Sequence, residues 1–126
     1  MFSTLKKAGL AVALTAAAVC TAAPASADPI QTMASSRCVV GSSGNCTTAV
    51  VGANSSGHWV DYYVNNRLRP SPCPWRVRDV NTGVVVRSGT VGTGGFTSGT
   101  VFGLYGYYQL ELRGCSISAV GGIDNV

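Results

Sequence analysis

The chain has little charge and few of the residue types that carry out chemistry. Of its 126 residues only 11% are Asp, Glu, Lys or Arg, one is histidine, and no lysine follows Lys7. No C-x-x-C pair is present to hold a metal, and no serine sits in a G-x-S-x-G elbow. The Gly92-Thr93-Gly94-Gly95 run lacks the lysine and helix that would make it a phosphate loop, and reads as a plain loop. The apolar run at 8–19 is too short to cross a bilayer as a helix, and beyond it no window keeps a helical apolar period without Gly or Pro. These absences exclude a multidomain enzyme, an integral membrane protein and a polybasic nucleic-acid binder.

Lys6 and Lys7, the 8–19 run and then Ala25-Ser26-Ala27 make residues 1–27 a secretory signal peptide with a small-x-small cleavage site. Cys20 lies inside it. A lipid-anchored alternative calls for Leu three places before that cysteine and Gly or Ala just before, whereas Ala17 and Val19 stand there. The expectation is a secreted, extracellular protein with no membrane partner after cleavage. Removing 27 of 126 residues leaves 99, with seven arginines facing five acidic residues, so the net charge drops from +4 to +2.

Four cysteines remain: Cys38, Cys46, Cys73 and Cys115. An even count in a small exported chain implies a disulfide framework with three possible connectivities. Cys38–Cys46 and Cys73–Cys115 are the pairs expected. The first brackets a turn-rich stretch. The second places its cysteines before one strong strand and after another, at one end of a sheet if the two run antiparallel.

Short β-branched and aromatic runs between Gly, Asn and Ser clusters predict an all-β fold, a small antiparallel β-sandwich, Ig-like or jelly-roll-like. Residues 28–37 read as a flexible arm and 38–126 as the single sandwich domain. Strands are expected at 47–53 and 58–65. The 67–74 stretch, with Pro70, Pro72 and Pro74, reads as a stiff connection rather than a central strand. Trp75, Val77 and Asp79 then alternate with Arg76, Arg78 and Val80, turn at Asn81-Thr82-Gly83 and return over 84–88. Residues 89–99 hold five glycines and read as a long flexible loop around a weak strand. Tyr108, Leu110 and Leu112 alternate with Gln109, Glu111 and Arg113 in a last clear strand.

Catalysis has little to draw on. His58 must serve any Ser-His-Asp arrangement, with Asp61, Asp79 or Asp124 as its orienter, yet Ser42 and Ser55 lie in turn sequences. Asp61, Asp79 and Glu111 are scattered strand acids rather than a hydrolase pair. No metal site and no cofactor are expected, and the chain reads as a non-enzyme. Arg37, Arg67, Arg69, Arg76 and Arg78, with Tyr62, Tyr105 and Tyr107, are instead the types enriched at protein interfaces and form the candidate partner-binding set. The 28–37 arm can add to a partner's sheet edge. The proline-stiffened 67–74 loop, with Arg67 as a conceivable reactive-site residue, can act as an inhibitor loop, as can Arg37.

The stretch Cys73-Pro-Trp-Arg-Val-Arg-Asp-Val-Asn-Thr-Gly-Val-Val-Val, with Gly103-Leu-Tyr-Gly-Tyr-Tyr-Gln-Leu-Glu-Leu and Cys115, resembles small secreted actinobacterial (Streptomyces-type) disulfide-bonded β proteins. Among these are the adaptor subunits of umbrella toxin particles. That resemblance implies a non-catalytic sandwich joining a lectin-like subunit to a toxin-bearing one. The amylase inhibitors of the same bacteria differ: their Trp-Arg-Tyr triplet between the first two cysteines is missing here. The expected function is a secreted protein-binding module, an adaptor in a toxin-type complex, with another secreted protein as partner. The alternatives are an inhibitor of a secreted protease or glycosidase, and a small glycan-binding module.

Overall fold

The computed structural model describes residues 32–126, so the expected signal and the first residues of the arm lie outside it. Nine strands follow in chain order: β1 (Ser35–Val39), β2 (Cys46–Thr47), β3 (Val51–Gly52), β4 (Trp59–Asn65), β5 (Cys73–Asp79), β6 (Val85–Val91), β7 (Phe96–Phe102), β8 (Tyr107–Leu112) and β9 (Val120–Asp124). They build two antiparallel sheets, ordered β1-β9-β4-β7 and β2-β8-β5-β6, with β3 also pairing β8. The described residues contain no helix.

Alternation decides which face turns inward. Along β4, Val60, Tyr62 and Val64 are buried while Trp59, Asp61 and Tyr63 are only half-buried. Val77 and Trp75 of β5 and Tyr108, Leu110 and Leu112 of β8 meet them from the other sheet, with Val51, Val91, Val101 and Ile123 completing the core. The Tyr62 and Trp75 rings touch across it at 4.7 Å. At Gly121 the sheets approach so closely that a Cβ would lie 2.8 Å from Leu110 Cδ2. Both expected disulfides are present. Cys38–Cys46 ties β1 of one sheet to β2 of the other, and Cys73–Cys115 joins the start of β5 to the segment after β8.

Four expectations need correction. Ser35, Ser36 and Arg37, assigned to the flexible arm, lie in β1 and pair with Asp124, Ile123 and Gly122 of β9. Ala34 and Met33 are also fixed, through Asn125 N–H to the Ala34 carbonyl and Met33 N–H to the Val50 carbonyl, each at 2.9 Å. This segment has no apolar alternation to signal a strand; the ladder and Cys38 hold it.

The glycine-rich 89–99 stretch is not a loop. β6 runs on to Val91, β7 starts at Phe96, and only residues 92–95 turn. Two of its glycines stand where rings lie across the backbone: a Cβ at Gly89 would meet the Trp75 ring at 2.9 Å, and one at Gly99 the Tyr62 hydroxyl at 2.6 Å.

The strand expected over 47–53 breaks into β2 and β3. Buried Thr48 both donates its N–H to the Leu110 carbonyl and accepts Leu110 N–H on its hydroxyl, which takes the place of a regular rung. The connection placed at 67–74 ends sooner, because β5 begins at Cys73 and Pro74 stands within it. Pro74 is tolerated because its carbonyl accepts Arg113 N–H. Its missing donor would point to the same side, past the end of β8.

Candidate functional site

The sandwich presents two outer faces of different chemistry. On the β1-β9-β4-β7 sheet the register fixes the outward rows. Arg37, Gly122, Tyr63 and Ser98 form one, Ser35, Asp124, Asp61 and Thr100 the next, Val39, Val120, Asn65 and Phe96 a third, and Trp59 pairs with Phe102 at the far end. The Tyr63 ring lies across Gly122, where any side chain would collide with it. Phe96 runs nearly parallel to that ring, 17° between planes, and the Arg67 guanidinium caps Phe96 at 4.9 Å. Phe102 is 70% exposed and Val39 52%. Shallow hollows flank Tyr63, one toward Ser35, Arg37 and Asp124, the other toward Asp61, Ser98 and Thr100.

Asp61 and Asp124 face each other across the ladder, with no ion pair to a basic side chain among the described residues. Burial pushes the Asp124 carboxyl up; a hydrogen bond from Val126 N–H works against this, and the facing Asp61 adds to it. Like charges directly opposite in a sheet are unfavourable, so this row is a local expense of the fold.

The other sheet's outer face is governed by Glu111 of β8. Arg76 and Arg78, both on β5, donate to its Oε1 through Nε, and Arg113 Nη2 stands 3.6 Å from its Oε2. Arg78 also donates to the Gly83 carbonyl, and Arg113 to the Cys46 carbonyl and the Thr47 hydroxyl. Burial opposes ionisation of Glu111, but the hydrogen bonds and charges of Arg76 and Arg78 outweigh it and hold the carboxyl below the usual range.

That balance sets a pH dependence. A carboxyl lowered in the folded state contributes stability that is complete above its unfolded value, about 4.3 for Glu, and is lost as pH falls through the folded one. Raised Asp124 acts with opposite sign: its contribution is complete at low pH and disappears as pH rises through its folded value. Glu111→Gln is expected to cost about 1.5–3 kcal/mol at pH 7 by urea unfolding, the usual worth of hydrogen bonds to a charged group, and much less at pH 3. An equal loss at both pH values would show that the Glu111 charge is not responsible.

The eight residues of the sequence-predicted set do not form one patch. Arg76 and Arg78 meet on one face; Arg37 and Arg67 lie on or beside the other. Arg69 is half-buried in the turn closed by its own N–H on the Asn66 carbonyl. Tyr105, 78% exposed, stacks on His58 at 4.3 Å, with Tyr107 nearby at 39% exposure. Tyr62 is a correction: it is buried in the core, its hydroxyl accepting from Arg87, and cannot contact a partner.

Glu111, Arg113, Phe96, Phe102 and Tyr63 were missing from that set. The signal for the first two was the shared parity of Glu111 and Arg113 in their own strand. Paired with the Arg76/Arg78 parity, it places all four on one face once β5 and β8 are neighbours. Asp61 and Glu111, weighed as hydrolase carboxylates, stand on opposite outer faces. Among the described residues no group of three or more His, Cys, Asp or Glu can hold a metal ion. No protein-family model matches the chain, and no curated protein or solved structure is significantly similar to it, so the site is read from its chemistry alone.

Proposed function

We propose that this is a secreted, non-catalytic protein-binding module, an adaptor that seats a partner on the outer face of its β1-β9-β4-β7 sheet in an extracellular, toxin-type complex of the actinobacterial kind. The observation carrying this reading is the exposure of Phe96, Phe102 and Val39 on the outer face of one sheet, with Arg37 and Arg67 at its margin. Aromatic and arginine side chains in that arrangement are what interface cores and their rims are made of. The two disulfides suit the oxidising compartment that secretion implies. His58, the sole histidine, is stacked on Tyr105 in a turn, which supports a binding rather than a catalytic reading.

The inhibitor alternative fares worse on geometry. A substrate-like inhibitor loop presents an extended backbone and a free side chain. Here residues 66–69 form a tight turn with Leu68 at φ 62°, and Arg67 is engaged on Phe96. The glycan alternative keeps one favourable observation: Tyr63 lies flat beside hollows lined by Asp61, Asp124 and Arg37.

Affinity capture of the tagged protein from its native culture supernatant is expected to bring down a larger secreted subunit. Phe96→Ser with Phe102→Ser is expected to weaken that capture by about a hundredfold while the melting curve is kept, two anchors at about 1.4 kcal/mol each. Capture that survives the double change would sink the proposal. Retention on a polysaccharide column, released by free sugar and lost in Tyr63→Ala, would put the glycan reading in its place.

A further inference from the structure

The two outer faces differ in charge as well as shape. The aromatic sheet carries Arg37 and Arg67 against Asp61 and Asp124, and is balanced. On the opposite sheet Arg76, Arg78 and Arg113 share the single carboxylate of Glu111, so the cluster keeps two positive charges. Glu111 is nearly covered, its side chain only 10% exposed, whereas those of Arg76 and Arg113 are 39% and 38% exposed. The negative charge is therefore beneath the surface and the guanidinium edges are above it.

Arg76 is the least committed of the three. Its Nε donates to Glu111, and among the described residues its two terminal nitrogens make no hydrogen bond. They border a shallow hollow of about 530 Å³ lined by Pro74, Val85, Ser88, Thr90 and Arg113 as well as Glu111. The hollow thus offers a planar fork of donors, hydroxyls from Ser88 and Thr90, and an apolar rim from Pro74 and Val85. A guanidinium fork matches a carboxylate in bidentate geometry, and one already held in place by Glu111 loses little freedom on binding.

We infer that this face is a second docking surface, which takes an acidic segment of a partner protein, a glutamate or aspartate carboxylate seating on Arg76 with Arg113 beside it. It uses neither the residues nor the sheet of the aromatic face, so the two surfaces can be occupied together. The inference stands or falls apart from the proposal above.

The probe is a fluorescent decapeptide of alternating glutamate and glycine, with a glutamine–glycine decapeptide as its neutral twin, titrated against the disulfide-bonded secreted protein. Binding of the acidic peptide, weakening as salt rises, is expected, with the neutral twin about tenfold weaker or worse. Arg76→Gln is expected to lose about tenfold, and Arg37→Gln on the far face nothing. Thr90→Glu changes an exposed position outside the Glu111 cluster and is expected to abolish binding in a protein that melts like the parent. Equal binding of the two peptides, or no effect of Arg76→Gln and Thr90→Glu, would overturn the inference. So would inorganic sulfate or heparin binding in place of the peptide, or self-association lost in Asp61→Asn, which would make a second copy's Asp61–Asp124 row the occupant.

Discussion

Replacing Cys73 and Cys115 together by alanine is expected to destabilise the protein by about 4 kcal/mol, the loop-closure value for a bridge of this span. The two cysteines are 42 residues apart, so their bond removes much of the freedom of the unfolded chain; Cys38–Cys46, only 8 apart, removes less. The corresponding loss for Cys38 and Cys46 is about 2.5 kcal/mol. Location reinforces the ranking. Cys73 is fully buried where the proline-rich connection enters the sheet, and Cys115 is buried beside it, so truncation also leaves an unfilled space. Urea unfolding of the two double variants tests this through their midpoints. A larger loss from the short bridge would show that stapling β1 to β2 across the sheets outweighs chain entropy.

Trp75→Ala is expected to cost about 3–5 kcal/mol, the range for deleting a large core aromatic. In a domain of this size that lowers the melting temperature by roughly 15–30 °C. The indole bridges the sheets: it meets Tyr62 of the facing sheet at 4.7 Å and lies across Gly89 of the neighbouring strand. Tyr62 in turn lies across Gly99 and accepts from Arg87, so one ring supports the packing of β4, β6 and β7. Trp75→Phe, which keeps an aromatic ring there, is expected to lose less than half as much. Calorimetric melting of both variants decides it, and a loss under about 1.5 kcal/mol for alanine would remove Trp75 from the centre of the core.

Strong alternation made parts of this fold legible from the residues alone. Val60, Tyr62 and Val64, the β5–β6 hairpin and the Tyr108-Leu110-Leu112 row all read as strands, and the Cys73–Cys115 pairing followed from where the strands begin and end. The hairpin turn was placed correctly but differs in detail. Gly83 N–H closes it on the Asp79 carbonyl, and the register shift lies farther on, between Val77 and Arg78 of the partner strand. Glycine misled the reading twice. At Gly89 and Gly99 it makes room for a ring from another strand, a requirement that local sequence does not carry. Tyr62 failed for a related reason. In a strand with aromatic residues on both faces, parity says which residues go together but not which set goes inside, and Tyr63 was left for the surface. The arginines showed their kind but not their grouping, since Arg113 meets Arg76 only through the long-range pairing of β5 with β8.

The position of Cys38 has a mechanical consequence. β1 and β9 run antiparallel, with Ser35 opposite Asp124, so the start of one and the end of the other emerge side by side. A pull that separates these two ends loads the rungs one at a time, the weakest way to stress a ladder. Peeling can pass Ser35, Ser36 and Arg37, but at Cys38 it reaches a covalent bond to Cys46 in the other sheet. Beyond that point the load passes to the whole sandwich, whose C-terminal strand β9 is flanked by β1 and β4. A domain built this way can yield three rungs under tension and then hold.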